Sequence, residues 1–215
     1  MSGKNMLSEF ESKNLLSDYG LRVTREAVVH SVEEAVSAAT KLGFPVVLKI
    51  TGSEFAHKTE LNGVKLNLVD SSAVKFAADE LFSLFDEPIP LLISEQIDSS
   101  REFLAGVTRT DDYGLTLAFG VGGIFAEELQ DVAFRLLPAS RQEIFSMYDD
   151  LSFSALLGPV RGESKVDLES LTGALLAISC CALEREDIRS IDVNPILISD
   201  GQPIAVDALV ELYGS

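Results

Sequence analysis

FPVVLKITGSEFAHKTELNGVKLNL, residues 44–68, is the stretch on which the reading of the chain turns. It opens with an apolar run, Pro45–Ile50, interrupted by one cation, Lys49. A run this short, bounded by Gly43-Phe44-Pro45 and Thr51-Gly52-Ser53, predicts a strand. A polar loop with His57, Lys58 and Thr59 follows. Asn62-Gly63 is a tight-turn signal, and Val64–Leu68 alternates as a half-buried strand. A lysine on a strand and a histidine on a loop, joined by a hairpin-like connection, form an arrangement suited to handling phosphate.

Gly52–Thr59 resembles a Walker A loop, except that His57 stands where its second glycine belongs. That loop cradles phosphate with successive backbone N–H groups and runs straight into a helix. Here a side chain occupies the crowded position and a strand follows, so the sequence argues against a P-loop.

Composition narrows the class. The 215 residues are 47% hydrophobic and 24% charged, enough for a real core in one domain or two small lobes. No apolar run approaches the ~20 residues that span a bilayer, and the N-terminus lacks a signal-peptide core, so no membrane association and a cytoplasmic location are expected. Cys180 and Cys181 are adjacent and lack metal-ligand spacing, which reads as two small buried hydrophobes in a reducing compartment. The net charge of −17 argues against nucleic acid as a partner. An anionic ligand must then be met by a few well-placed cations or a bound metal.

Outward from the central stretch, Ser8–Glu11 and Ser31–Glu34 read as capping boxes of two helices. Asp70-Ser71-Ser72 caps a third, with Ala73, Phe76, Ala77, Leu81 and Phe85 expected inward, and Asp86–Pro90 breaks it. Leu91–Ile93 is expected as a buried strand ending at Glu95-Gln96-Ile97. The break divides the chain into a first lobe, 1–94, and a strand-rich second lobe, 95–215. In the second, Phe103–Arg109 and Leu115–Phe119 form a hairpin, Ile124–Leu129 is extended, Ser140–Glu143 caps a helix, and Asp167–Leu183 is the longest helix. A last hairpin pairs Ser190–Ile198 with Pro203–Val210 across Ser199-Asp200-Gly201.

Several residues carry candidate chemistry. Lys49 inside an apolar strand must pair, snorkel or meet an anion, unless it lies on an edge facing water. Gly120-Val-Gly-Gly123 lacks dinucleotide-fingerprint spacing and reads as a turn, a bulge or a phosphate cradle. Asp192 and Asn194 share a strand face, and Asn194 falls nearly opposite Asp207 across the last hairpin. Such oxygen donors suit Mg²⁺, or make a cross-strand polar pair. His57 is a surface loop histidine or a nucleophile that takes a phosphoryl group on nitrogen.

At these residues the chain resembles a known family. Gly43–Lys49, His57-Lys58 before Asn62–Lys65, Glu95-Gln96, Arg101–Phe103, Gly106–Arg109, Phe119–Gly123, Phe134-Arg135, Gly158–Gly162, Asp192–Pro195 and Val206–Ala208 match, in order, the beta subunit of the ADP-forming acyl-CoA synthetases (acetate–CoA ligases), relatives of succinyl-CoA synthetase. Asn62 departs from a common Gly, at a turn Asn tolerates. The resemblance covers about Ser8 to Leu212. It implies an α+β fold of ATP-grasp type, two α+β lobes with ATP or ADP between them. It implies that Lys49 contacts phosphates, that Glu95, Gln96 and Ile97 lie against adenine and ribose, and that Gly122 and Gly123 sit near the phosphates. Asn194 and Asp207 are then the Mg²⁺ ligands and His57 the phosphoryl relay. Glu102, Arg135 and Arg161 match motif positions with a positioning role. The implied partner is a CoA-binding alpha subunit in a heterotetramer. The rival readings are a self-sufficient ATP-grasp carboxylate–amine ligase and a non-catalytic nucleotide-binding regulatory module.

Overall fold

The computed structural model describes residues 5–52, 63–87, 89–123, 131–160 and 162–214. The expected extended piece at 124–129, the His57 loop and Arg161 lie outside them. The chain divides into two compact units. One holds Leu7–Phe10 and Thr24–Ile97; the other holds the described residues of Met1–Met6, Glu11–Val23 and Asp98–Ser215.

The first unit is a four-stranded antiparallel sheet in the order β2-β5-β3-β4. Its strands are β2 (Glu26–Val29), β3 (Val46–Ile50), β4 (Val64–Leu68) and β5 (Leu91–Glu95), with helices α2 (Val32–Leu42) and α3 (Ser71–Phe82) between them. Local chemistry accounts for the helix starts. Ser31 Oγ accepts the Glu34 N–H at 3.1 Å, and Asp70 Oδ1 accepts that of Ala73 at 2.8 Å. Val46, Leu48, Ile50, Leu91 and Ile93 form one core with Ala35, Ala39, Val74, Ala77 and Leu81. On α3 the buried stripe is Val74, Ala77, Ala78 and Leu81, at helical spacing. Phe76, expected inward, is 74% exposed, because the stripe runs one position away from it.

The second unit is built on a sheet in the order β1-β11-β9-β6-β7-β8, with β10 also pairing β9. The strands are β1 (Asn5–Met6), β6 (Glu102–Thr110), β7 (Gly114–Val121), β8 (Val132–Leu136), β9 (Ile188–Ser199), β10 (Gln202–Ala205) and β11 (Ala208–Leu212). Helix α5 (Leu168–Glu184) packs on β6, β7, β9 and β10, and the short α4 (Arg141–Phe145) packs on α5. Ser140 and Glu143 form the expected capping box of α4. Phe103 stacks on Phe119 at 5.5 Å between ring centroids, and Tyr148 meets Phe119 edge-on at 5.6 Å. Cys181 is buried while Cys180 is exposed, since neighbours on a helix point about 100° apart.

The expected border between lobes shifts at the N-terminus. Helix α1 (Glu9–Asp18) runs on into Glu11–Val23, which belongs to the second unit. There Lys13 Nζ donates to the Val206 carbonyl at 3.1 Å, and Ser12 Oγ accepts the Val210 N–H at 3.1 Å.

Arg101, 2% exposed, is the staple of the second unit. It donates to Glu163 at 3.1 Å and to the carbonyls of Gly158 at 3.0 Å and Ser164 at 2.6 Å. Arg101→Leu strands these acceptors and is expected to cost about 3 kcal/mol. Differential scanning calorimetry should show Tm falling by roughly 6–12 °C. Tyr148 offers a pH test: burial pushes its phenol up to about 12, against the effect of its hydrogen bond with Thr172. A raised acid pKa contributes stability that is present below the unfolded value near 10 and is lost as pH rises through about 12. Tyr148→Phe should lower stability by about 1 kcal/mol at pH 7 and show a shallower alkaline loss of Tm.

Candidate functional site

In the first unit the alternation of β3 sorts its side chains. Val46, Leu48 and Ile50 enter the helix-covered core, so Val47 and Lys49 take the other face. β3 is an interior strand, paired with β4 and β5, which removes the edge-strand reading of Lys49. Lys49 is 6% exposed, and its Nζ meets Glu9 Oε1 at 2.7 Å. Glu95, at the end of β5, pairs across the ladder with Val46, three residues or about 10 Å along β3 from Lys49.

The Glu95 side chain is committed within the unit. Its Oε1 accepts the Arg25 backbone N–H at 2.8 Å and its Oε2 the Arg25 Nε–H at 2.8 Å. The Gln96 side chain is held as firmly: its Oε1 accepts the Asn67 N–H and its Nε2 donates to Asn67 Oδ1, both at 2.7 Å. The Gln96 N–H donates to the Pro45 carbonyl at 3.1 Å. Among the described residues the Ile97 N–H makes no backbone hydrogen bond. Arg25 and Asn67 escaped sequence reasoning. The faint signal for Asn67 was an Asn inside an alternating strand, where φ is 58° and a left-handed conformation is needed.

In the second unit the hairpin register falls as the sequence implied. Asp200 and Gly201 both have positive φ, 51° and 81°, and close a two-residue turn between Ser199 and Gln202. The pairing of Ala205 with Ile196 and of Ala208 with Val193 puts Asp207 opposite Asn194. The Asn194 N–H donates to the Asp207 carbonyl at 3.2 Å. Asp192 lies on the same face, opposite Gly106 of β6. A Cβ on Gly106 would lie 2.9 Å from the Ile191 carbonyl and 3.9 Å from Asp192 Oδ1. Glycine there keeps a shallow floor beside the carboxylate.

Asp192 reaches solvent, yet its carboxyl is pushed above the usual range, first by loss of surrounding water and then by the charge of Asp207. A cation held there relieves that repulsion. Among the described residues no group of three or more His, Cys, Asp or Glu side chains is placed to hold a metal ion by itself. A carboxamide and a carboxylate, Asn194 and Asp207, with a second carboxylate, Asp192, beside them fit a hard cation that keeps several waters, as Mg²⁺ does.

The glycine run serves close packing. The Gly122 N–H donates to the Glu102 carbonyl at 2.7 Å, and a Cβ on Gly122 would press on the Glu102-Phe103 backbone at 3.1–3.2 Å. Gly123 has φ 81°, and a Cβ there would lie 3.1 Å from Glu102 Oε2. Glu102 and the two glycines therefore form one corner.

Arg135 goes elsewhere. On β8 it faces α4 and donates to the Glu143 carbonyl at 3.1 Å, Ser146 Oγ at 2.8 Å and Asp150 Oδ2 at 2.6 Å. Phe134 and Leu136 take the face that carries Asn194, so strand parity removes Arg135 from that surface.

A sequence-family profile described as an ATP-grasp domain matches residues 1–212. The chain belongs to the ATP-grasp family. It is 33% identical to the beta subunit of the ADP-forming acetate–CoA ligase I of Pyrococcus furiosus, over 94% of this chain and 90% of that one. Within the family, it therefore belongs with the beta subunits of the ADP-forming acyl-CoA ligases, as the motif order implied. It is 34% identical to the acetate–CoA ligase II of Archaeoglobus fulgidus, spanning only 30% of that longer chain. The Ca. Korarchaeum cryptofilum dinucleotide-forming acetyl-coenzyme A synthetase 1, in complex with coenzyme A, Ca-AMPCP and HgCl⁺, superposes with TM-score 0.92 at 34% identity, covering 98% of this chain and 95% of that one. The same protein with coenzyme A and Mg-AMPPCP, its phosphohistidine segment pointing towards the nucleotide binding site, gives TM-score 0.86 at 34% identity over 98% and 94%. No described helix is long and apolar enough to cross a membrane.

The Asn67–Gln96 clamp gives a test. Asn67→Ala keeps the backbone N–H bond to Gln96 Oε1, loses the bond from Gln96 Nε2 to Asn67 Oδ1 and strains a left-handed residue, an expected cost of about 2 kcal/mol. Asn67→Gly relieves the strain alone and should recover roughly half of that loss in urea denaturation.

Proposed function

We propose that this chain is the nucleotide half of an enzyme that converts acyl-CoA, ADP and phosphate to acid, CoA and ATP, reversibly. The observation that carries this reading is the Asn194–Asp207 pair, set opposite each other on one face with Asp192 beside them, in a chain of this family. Asn194 and Asp207 hold Mg²⁺ with a bound ATP or ADP. Lys49 contacts the phosphates, and the main chain at Gln96 and Ile97 receives the base. Bound Mg²⁺ neutralises charge on the transferring phosphoryl group. Gly122, Gly123 and Glu102 shape the wall near the phosphates. The Glu95 side chain orients Arg25 and the β5 end, and contributes no direct contact of its own.

His57, which lies outside the described residues, carries the phosphoryl group. Its neutral imidazole nitrogen attacks phosphorus while the bond to the departing ADP oxygen breaks, which gives phosphohistidine and ADP. The likeness to the Ca. Korarchaeum cryptofilum enzyme, whose phosphohistidine segment points towards a nucleotide site, supports this role. The acceptor lies on a CoA-binding alpha subunit, in a cytoplasmic heterotetramer.

The experiment is phosphate mapping by mass spectrometry at alkaline pH, after incubating the chain and its co-expressed partner with ATP and Mg²⁺. The expected result is a phosphoryl group on His57. His57→Ala should abolish it and lower turnover by at least ~100-fold while nucleotide binding persists. Unchanged turnover in His57→Ala, or full acid-dependent ATP chemistry by this chain alone, overturns the reading.

A further inference from the structure

Beneath the proposed phosphate contact lies a second residue with a role of its own. Glu9 is 3% exposed and Lys49 6%, with 2.7 Å between carboxylate oxygen and ammonium nitrogen. Both belong to the same unit. Glu9 is the first residue of α1, where a carboxylate is favoured by the helix dipole and its backbone is fixed by the turn that follows. The anchor is therefore rigid at the backbone, while the four-carbon lysine stem is not.

The surroundings explain why a rigid anchor matters. Lys49 faces away from the helix-covered core, on the side it shares with Val47 and, two residues on, Thr51. Thr51 is 3% exposed, and its Oγ1 is buried without a hydrogen-bond partner among the described residues. A buried hydroxyl left unpaired costs about 1–3 kcal/mol, so a fold tolerates one where something else supplies the partner. The stretch Lys49–Thr51 thus presents a charged donor and an unmet hydroxyl side by side. An ammonium carries three N–H bonds at tetrahedral angles. Committing one to a fixed carboxylate orients the others and keeps the lysine charged in a place where an unpaired ammonium is costly.

We propose that Glu9 is a positioning residue for the phosphate site: it holds the Lys49 ammonium charged and aimed at a nucleotide phosphate, with the Thr51 hydroxyl as the neighbouring contact. This rests on the reading of Lys49 as a phosphate ligand. The alternative role for Glu9 is a structural staple for the start of α1.

Isothermal titration of the full chain with ADP plus Mg²⁺, and with adenosine, separates the two. Adenosine shares the base and ribose and lacks the phosphates. In Glu9→Gln the Kd for ADP should rise about tenfold, the loss of one charge-assisted contact, with adenosine binding unchanged. Glu9→Asp keeps the charge and moves it back by one methylene, so it should fall between wild type and Glu9→Gln. In a Lys49→Met background, Glu9→Gln should add nothing. Equal weakening of ADP and adenosine, unaltered ADP binding, or independent addition in the double variant overturns the proposal. If the wild type prefers ADP, Lys49→Met loses that preference and Glu9→Gln keeps it, the proposal fails while the phosphate reading stands. If the wild type shows no preference for ADP over adenosine, both fail.

Discussion

The two-residue period of a β-strand decides where the candidate groups on β3, β8 and β9 end up. In β3 it sends Val46, Leu48 and Ile50 into the core and Lys49 to the opposite side, so one five-residue strand supplies both a hydrophobic floor and a buried cation. In β9 it puts Asp192 and Asn194 on one face, and the left-handed pair Asp200-Gly201 fixes which residue of the returning chain meets them. A slip of one residue would turn Asp207 to the other face and bring its neighbours, Val206 or Ala208, opposite Asn194. The oxygen pair is thus only as secure as the turn at 200–201, where an added Cβ on Gly201 would lie 2.7 Å from the Lys165 carbonyl.

Charge is handled in a related way. A chain with a net charge of −17 has few cations, and several are committed to specific acceptors. Arg101 cross-links the 156–164 segment, Arg25 clasps Glu95, Arg135 ties β8 to the turn after α4, and Lys49 meets Glu9. Burial of a charge is tolerable only when its partner is in place, so these pairs also define local geometry. The Glu95 carboxylate and the Gln96 amide illustrate the consequence. Their side chains serve the architecture of the first unit, tied to Arg25 and Asn67.

The likeness to acyl-CoA ligase beta subunits was legible because many short motifs occur in one order across the chain, even though each alone is weak. Individual roles were less legible where a motif match had no direction attached. Arg135 fits a motif, yet strand parity turns it toward α4. Phe76 fits an apolar count on α3, yet the buried stripe is Val74, Ala77, Ala78 and Leu81. The Asn67 clamp and the Arg25 pairing join residues 29 and 70 positions apart, beyond the reach of any local pattern.

What the sequence determined by itself was local or periodic. It marked the caps at Ser31, Asp70 and Ser140, the hairpin turn at Asp200-Gly201, the opposition of Asn194 and Asp207, and the family. These follow from interactions within a few residues or across one tight turn, where spacing alone sets geometry. The tertiary structure alone decided which carboxylate meets Lys49, what holds Glu95 and Gln96, and that Arg101 is a staple buried among distant carbonyls. Those pairings form between segments far apart in the chain, and only the packing of helices on sheets brings them within hydrogen-bonding distance.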